Sequence, residues 1–186
     1  MDLNSVRKAI DKIDSQIKPL FIERMSCAKR VAEVKAQNHD EVFVLAREQE
    51  IIAQSSVGVN PEIQDEYIEF LRNLFSISRH YQYGLLKDVQ QEVIGAALAK
   101  SGCKASKNHT MVEIAFTCFS KPDNFTNICN IVALGNIPIK KLESENIADH
   151  QQVKMLLEGN IQNAVLRQVI TQIAKESSNF EIKGLK

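Results

Sequence analysis

Arg24 stands where an apolar residue is expected. From Val6 the chain steps by four and three residues through Ile10, Ile13, Ile17, Leu20, Arg24, Cys27, Val31 and Val34. That spacing makes the apolar seam of one long helix packed against other helices. A guanidinium on such a seam needs an anion, because a buried, unpaired charge costs several kcal/mol. The anion is either a neighbouring carboxylate or a ligand. Lys35 follows Arg24 on the same face, about 16 Å along the axis, and two long cationic side chains can converge on one small anion between them. Arg47 and Glu48 open the next helical pattern. Ser78 and Gln82, four residues apart, face the same way on a later helix. Each of these residues alone reads as an ordinary solvated side chain. Together they describe a pocket for a small polyanion inside a helical bundle. Arg7 lies about 25 Å before Arg24 on the same helix. One small ligand cannot touch both, so an Arg7 that belongs to the site must come from a second, antiparallel chain.

The elements that position this set are helices. The first is expected from about Asn4, its cap, to about Gln37, followed by a turn at 38–41 and a short helix from about Ala46 to Ser55. Asn60 can cap the next helix, with Pro61 at its first position and Glu62 at its positive end. That third helix is expected to run to about Lys100, with Gly84 tolerated inside it. The first and third would each span some 50 Å, too long to bury their seams as one compact three-helix unit, so a partner chain is implied. Residues 101–109 read as a linker. Beyond them the period changes. Strands are expected at 111–119, 137–146, 152–157 and 180–185, with helices at 125–134 and 163–177. The order β-α-β-β-α-β is the signature of a split βαβ sandwich. The domains expected are therefore 1–100, all helical, and 110–186, mixed α and β.

Composition narrows the class. The net charge is zero and charged residues make up 25% of the chain, which gives no bias toward nucleic acid or membranes. No apolar run reaches membrane-spanning length, and the N-terminus is amphipathic rather than a leader. Cys27, Cys103, Cys118 and Cys129 lack metal-ligand spacing and read as reduced thiols, so a cytoplasmic setting with no metal is expected. His39, His80, His109 and His150 are scattered and are given no role.

In the first half the resemblance is specific. Arg7, Arg24, Lys35, Arg47-Glu48, Ser78 and Gln82, in this order and at these spacings, resemble the active-site set of the all-helical chorismate mutases. The wording VRKAIDKIDSQIKPLFIERMSCAKRVAEVK, the ARE triplet and S-x-x-x-Q resemble the family too, and the likeness covers residues 3 to about 90. It implies an intertwined dimer of three-helix subunits, with Arg7 donated across to the partner's site. It implies the conversion of chorismate to prephenate, a pericyclic shift that needs no nucleophile, metal or cofactor. The enzyme must hold a flexible dianion in a reactive chair and stabilise charge on the breaking ether oxygen. On that reading Arg24 and Arg7 fork onto the two carboxylates, with Arg47 and Ser78 as further substrate contacts. Lys35 and Gln82 donate to the ether oxygen and a carboxylate, and Glu48 accepts from the ring hydroxyl. The family usually has an aspartate three residues before the Arg-Glu pair. Here that position is Val44, which opens the 4-amino-4-deoxy analogue of chorismate as an alternative substrate. The Arg47-Glu48 pair speaks against the related lyases that cleave isochorismate, which generally lack it.

The second half resembles an ACT domain, a ferredoxin-like regulatory module, and most closely that of prephenate dehydratases. Lys141-Leu142-Glu143-Ser144 matches the opening of the family's Glu-Ser-Arg-Pro motif, and Glu145-Asn146 departs from its second half. Asp123-Asn124-Phe125 aligns with the start of the partner motif, with Asp123 in place of its ligand-admitting glycine. Asp123 or Asn124 then reads as a helix cap. Asp123, Asn124, Phe125, Glu143 and Ser144 are the candidate effector-binding residues, with phenylalanine or tyrosine as effector. The dehydratase domain that usually separates the two modules is missing, so the reaction is expected to stop at prephenate. From a different class comes the alternative of a weakly catalytic regulatory subunit that controls a pathway partner. The complete cationic set favours catalysis.

Overall fold

A computed structural model describes residues 2–104, 108–119 and 122–186, without the side chains at 119 and 122–124. Residues 105–107 of the expected linker lie outside the described residues. The first helix, α1, spans Leu3–Asn38. Its cap is Asp2 rather than Asn4: the Asp2 carboxylate accepts from the backbone N–H of Asn4 at 2.8 Å and of Ser5 at 3.1 Å. A carboxylate there also suits the positive end of the helix dipole. Pro19 lies inside α1 without ending it. At the other end His39 adopts the left-handed conformation, φ 59°, and closes the helix by donating to the Lys35 carbonyl.

α1 carries two faces. Residues 2–23 are all exposed. Among the described residues the helix becomes buried further on, where Ala28 and Ala32 are buried and Arg24, Met25 and Lys35 half-buried. Two alanines one turn apart let the helix backbones approach closely. The predicted seam lies beside this stripe, not on it. Ile10, Ile13, Ile17, Leu20, Val31 and Val34 stay in the open, Leu20 with 65% of its surface accessible. Arg24 sits where the two faces meet.

The short helix α2, Leu45–Ser55, follows as expected. Asn60 caps a single 3-10 turn, Pro61–Ile63, by accepting from the Glu62 N–H at 3.0 Å. The long third helix is two helices, which corrects the single run expected from the sequence. α3 spans Gln64–Leu85 and α4 spans Lys87–Ser101. The break falls at Leu86, where ψ is 74°, and not at Gly84. The Gln90 side chain reaches back to the Tyr83 carbonyl at 2.6 Å and fixes the bend. No proline or glycine marks the position. The bend exists because α4 turns to lay Ile94 and Ala97 into the core of the second half.

That second half is a four-stranded antiparallel sheet with two helices of its own. β1 is Met111–Phe119, α5 Pro122–Leu134, β2 Ile139–Ile147, β3 His150–Glu158, α6 Ala164–Glu176 and β4 Ser178–Leu185. The strand order is β2-β3-β1-β4. Alternate residues of β1, namely Val112, Ile114, Phe116 and Cys118, face the same core as Val153, Met155 and Leu157 of β3. Ile128, Ile131 and Val132 of α5 and Leu166, Val169, Ile170 and Ile173 of α6 cover it. Among the described residues no helix is long and apolar enough to cross a membrane.

One glycine in this core is dictated by space. A Cβ on Gly135, just after α5, would stand 2.4 Å from Cγ2 of the buried Val169. Gly135→Ala is therefore expected to lower stability by about 1–3 kcal/mol through overpacking. Urea unfolding of the two chains side by side checks this, and an unchanged midpoint would refute it.

Candidate active site

The residues singled out in the helical half fall into two groups. Arg24, Lys35, Glu48, Ser78 and Gln82 come from α1, α2 and α3 and are buried or half-buried. Arg7 and Arg47 lie apart from them. Arg7 is exposed on the free part of α1. Arg47 turns to solvent and pairs with Glu50 one turn on, at 2.5 Å.

At the first group the geometry is close. Nη1 of Arg24 donates to Oγ of Ser78, and the guanidinium lies over the Phe75 ring at 5.6 Å from its centroid. Among the described residues Arg24 forms no ion pair; its hydrogen-bond partner is a neutral hydroxyl. Burial depresses its pKa, while Glu48 and Cys27 act in the other direction. Lys35 donates from Nζ to the carbonyls of Glu41 at 2.6 Å and Val42 at 3.0 Å, so its ammonium is tied to the loop that leads into α2. Burial lowers the Lys35 pKa too, against the pull of Asp40, Glu48 and Glu41. Gln82 donates from Nε2 to the Ser78 carbonyl at 3.3 Å, and its Oε1 is buried without a partner. A buried acceptor left unpaired costs about 1–3 kcal/mol, and among the described residues Oε1 lacks a donor. The second N–H of Nε2 is the part of this amide that can donate to an anion.

Glu48 does not face the cations alone. Arg79, unremarked in the sequence, donates to it from Nη1. Burial raises the Glu48 pKa, and Arg79 opposes that. Arg79 is itself 6% exposed. Its Nε and Nη2 fork onto Glu176 of α6 at 2.6 and 2.9 Å. The Phe43 ring lies under it at 4.8 Å. Burial works against the Arg79 charge, but Glu176 and Glu48 together outweigh it and hold the guanidinium protonated. The signal was available: Leu71, Phe75 and Arg79 are spaced by four on α3, so Arg79 breaks an apolar stripe as Arg24 does. α2 opens at Val44, whose side chain gives no capping bond.

In the second half Glu143 and Ser144 lie on β2, exposed throughout its length, and Glu143 pairs with Lys141 at 2.6 Å. Phe125 packs against the core. Asp123 and Asn124 fall within the first turn of α5 rather than ahead of it. Their side chains lie outside the described residues, so no capping contact is assigned to them.

The chemical capacity of the first group follows from its donors. Arg24 touches the Ser78 hydroxyl, Gln82 bonds the Ser78 carbonyl one turn back, and the Glu48 carboxylate acts on both Arg24 and Lys35. Two cations, a hydroxyl and an amide thus surround one carboxylate where α1, α2 and α3 meet. Such a set binds and orients a small anion and stabilises developing negative charge. Among the described residues no cluster of His, Cys, Asp or Glu is arranged to hold a metal.

Comparison with known proteins agrees with this chemistry. Residues 6–83 match the family model described as chorismate mutase type II, so the N-terminal region carries a domain of that family. A bifunctional chorismate mutase/prephenate dehydratase of Aquifex aeolicus (strain VF5) is 32% identical over 81 residues. The match takes in 40% of this chain and 22% of that protein. A solved structure described as "GqqA- a novel type of quorum quenching acylases" is 19% identical over 44% of each chain, with a TM-score of 0.41. That likeness is too slight to carry an argument.

Proposed function

We propose that the chain is a cytoplasmic chorismate mutase that rearranges chorismate to prephenate in aromatic amino-acid biosynthesis. One observation carries the reading: the half-buried Arg24 guanidinium meets a serine hydroxyl and, among the described residues, no carboxylate salt partner. Its charge is left for a substrate carboxylate. Lys35 and Gln82 donate to the ether oxygen and a neighbouring carboxylate, Ser78 supports the carboxylate on Arg24, and Glu48 accepts from the ring hydroxyl. Arg47 is a substrate contact only if its side chain swings in from Glu50. No cofactor takes part in this scheme.

The active form proposed is a homodimer. The exposed seam of α1 pairs antiparallel with its copy, which carries Arg7 across to the partner's site. An apolar stripe running from Val6 to Leu20, exposed at every one of its positions, supports that assembly. The sheet half is proposed to be an ACT-like module that binds phenylalanine or tyrosine, a reading supported by its β2-β3-β1-β4 order. A second substrate is kept for one reason. The apolar Val44 side chain makes no capping bond beside Glu48, so the 4-amino-4-deoxy analogue is tried alongside chorismate.

The experiment is the loss of chorismate absorbance with the purified chain, with and without phenylalanine and tyrosine. Saturable turnover establishes the mutase. A folded dimer inert toward both substrates removes it in favour of a regulatory subunit.

Gln82 adds a test of role. An amide does not titrate, so this position is expected to cause no loss of kcat between pH 6 and 8. In Gln82→Glu only the protonated acid can donate, so above its pKa kcat is expected to fall about tenfold per pH unit. A wild-type rate that falls that way, or a variant whose rate stays flat, contradicts the assignment.

A further inference from the structure

Two cations in the helical half stand on apolar stripes, and only Arg24 is explained by a substrate. Arg79 has a different set of neighbours. It is gripped by Glu48 on one side and by Glu176, from the other half of the chain, on the other. Glu176 is fixed in turn: Gln172, one turn earlier on α6, donates to its Oε1 at 2.9 Å and also to the Ser76 carbonyl at 3.3 Å. The Oε1 of Gln172 meets Nδ1 of His80 at 2.9 Å, and Gln168 donates to the His80 carbonyl at 2.7 Å. So Gln168, Gln172 and Glu176, spaced by four, form a polar ridge of α6 along α3, while the opposite face of α6 holds the sheet core. The residue just before Glu176, Lys175, pairs at 3.0 Å with Glu41, whose carbonyl holds Lys35.

We propose that Glu176 and Arg79 are positioning residues for the Glu48 carboxylate, so that the sheet half of the chain completes the site on the helical half. A carboxylate on one turn of a short helix has several rotamers, and a fork locked between two acids leaves it one. The inference deepens the mutase reading and rests on it for the role of Glu48. The charged and titratable groups that act on Glu48 are Arg79 and Tyr83 from α3, Glu176 from α6, and Lys35 and Arg24 from α1.

The test uses the full chain and four forms: wild type, Arg79→Gln, Glu176→Gln and the double variant. Two readouts are taken. The first is the titration of the Glu48 carboxyl, followed by the ¹³C shift of labelled glutamate and assigned with Glu48→Gln. The second is the acid limb of kcat/KM for chorismate. Removing the cation raises the Glu48 pKa and removing the neighbouring anion lowers it. Arg79→Gln is therefore expected to move both readouts up by about one pH unit or more, and Glu176→Gln to move them down. The double variant lies between and recovers activity over Arg79→Gln, because it no longer buries two acids without their partner. Residues that merely hold the fold would lower the melting temperature without shifting the two variants in opposite directions. Movement of both in the same direction, or of neither, overturns the proposal. The carboxyl titration decides even if the wild type turns over no chorismate: opposite shifts then keep the positioning role and discard the mutase, and absent shifts discard the positioning role.

Discussion

Arg24→Ala is expected to lower kcat/KM for chorismate by about 10²–10³-fold or more, the loss of a donor aimed at charge in a water-poor site. The argument starts from what the substitution leaves behind. Ser78 keeps its hydroxyl and Phe75 its ring, but the guanidinium between them is gone. A substrate carboxylate would then enter a half-buried position with no charged partner, and its desolvation is no longer offset. Arg24→Lys is expected to restore little, because an ammonium offers a point charge where a planar fork is needed. The fold should survive, since Arg24 is only half-buried and forms no ion pair with a described residue. Chorismate absorbance against time, with circular dichroism as the folding control, makes the measurement. An Arg24→Ala chain that keeps more than about a tenth of wild-type kcat/KM removes Arg24 from the site.

Arg7→Ala is expected to be as damaging as Arg24→Ala, and a mixture of the two inactive chains is expected to work. On the antiparallel dimer each site takes Arg24 from one chain and Arg7 from the other. A mixed dimer then holds one site with both substitutions and one with neither. Random exchange at equal amounts makes half the dimers mixed, so about a quarter of wild-type activity returns. The two variants are refolded together and compared with each refolded alone. No recovery, from dimers shown to have exchanged, places both arginines in the same subunit's site or Arg7 in none. The distance along α1 makes the first of those outcomes physically awkward, as the two residues stand about 25 Å apart on one helix.

Much of the helical half was legible because periodicity and one broken rule sufficed. A cation on an apolar seam is a contradiction that local sequence can display, and Arg24 displayed it. Ser78, at the right spacing, proved to be its partner. The length of α1 and the start of α2 followed from patterns of a few turns. What escaped the sequence was decided between distant segments. The bend at Leu86 has no breaker; it comes from Ile94 and Ala97 settling into a core built some twenty or more residues later. The large apolar residues of α1 mark one face, but the intrachain contact uses the adjacent alanine stripe. Alanine gives a weak hydrophobic signal and a strong packing one. Arg79 breaks an apolar stripe as Arg24 does, but its partner Glu176 is out of reach of local sequence: nothing local links residues 97 positions apart. In the second half the alternating apolar residues of β1 and β3 gave the strand pattern. The pairing order needed the three-dimensional arrangement.

The first part of α1 has a further bearing on how the molecule comes into being. Residues 2–23 are exposed along their whole length, and a helix of that size with so little burial is marginal in water. In a newly made chain this stretch flickers between coil and helix, with Ile10, Ile13, Ile17 and Leu20 available to any sticky neighbour. Its completion is a bimolecular event on the proposed assembly. The yield of finished protein thus depends on how fast copies meet, and synthesis rate, dilution and chaperone supply enter the outcome beside the free energy of the fold.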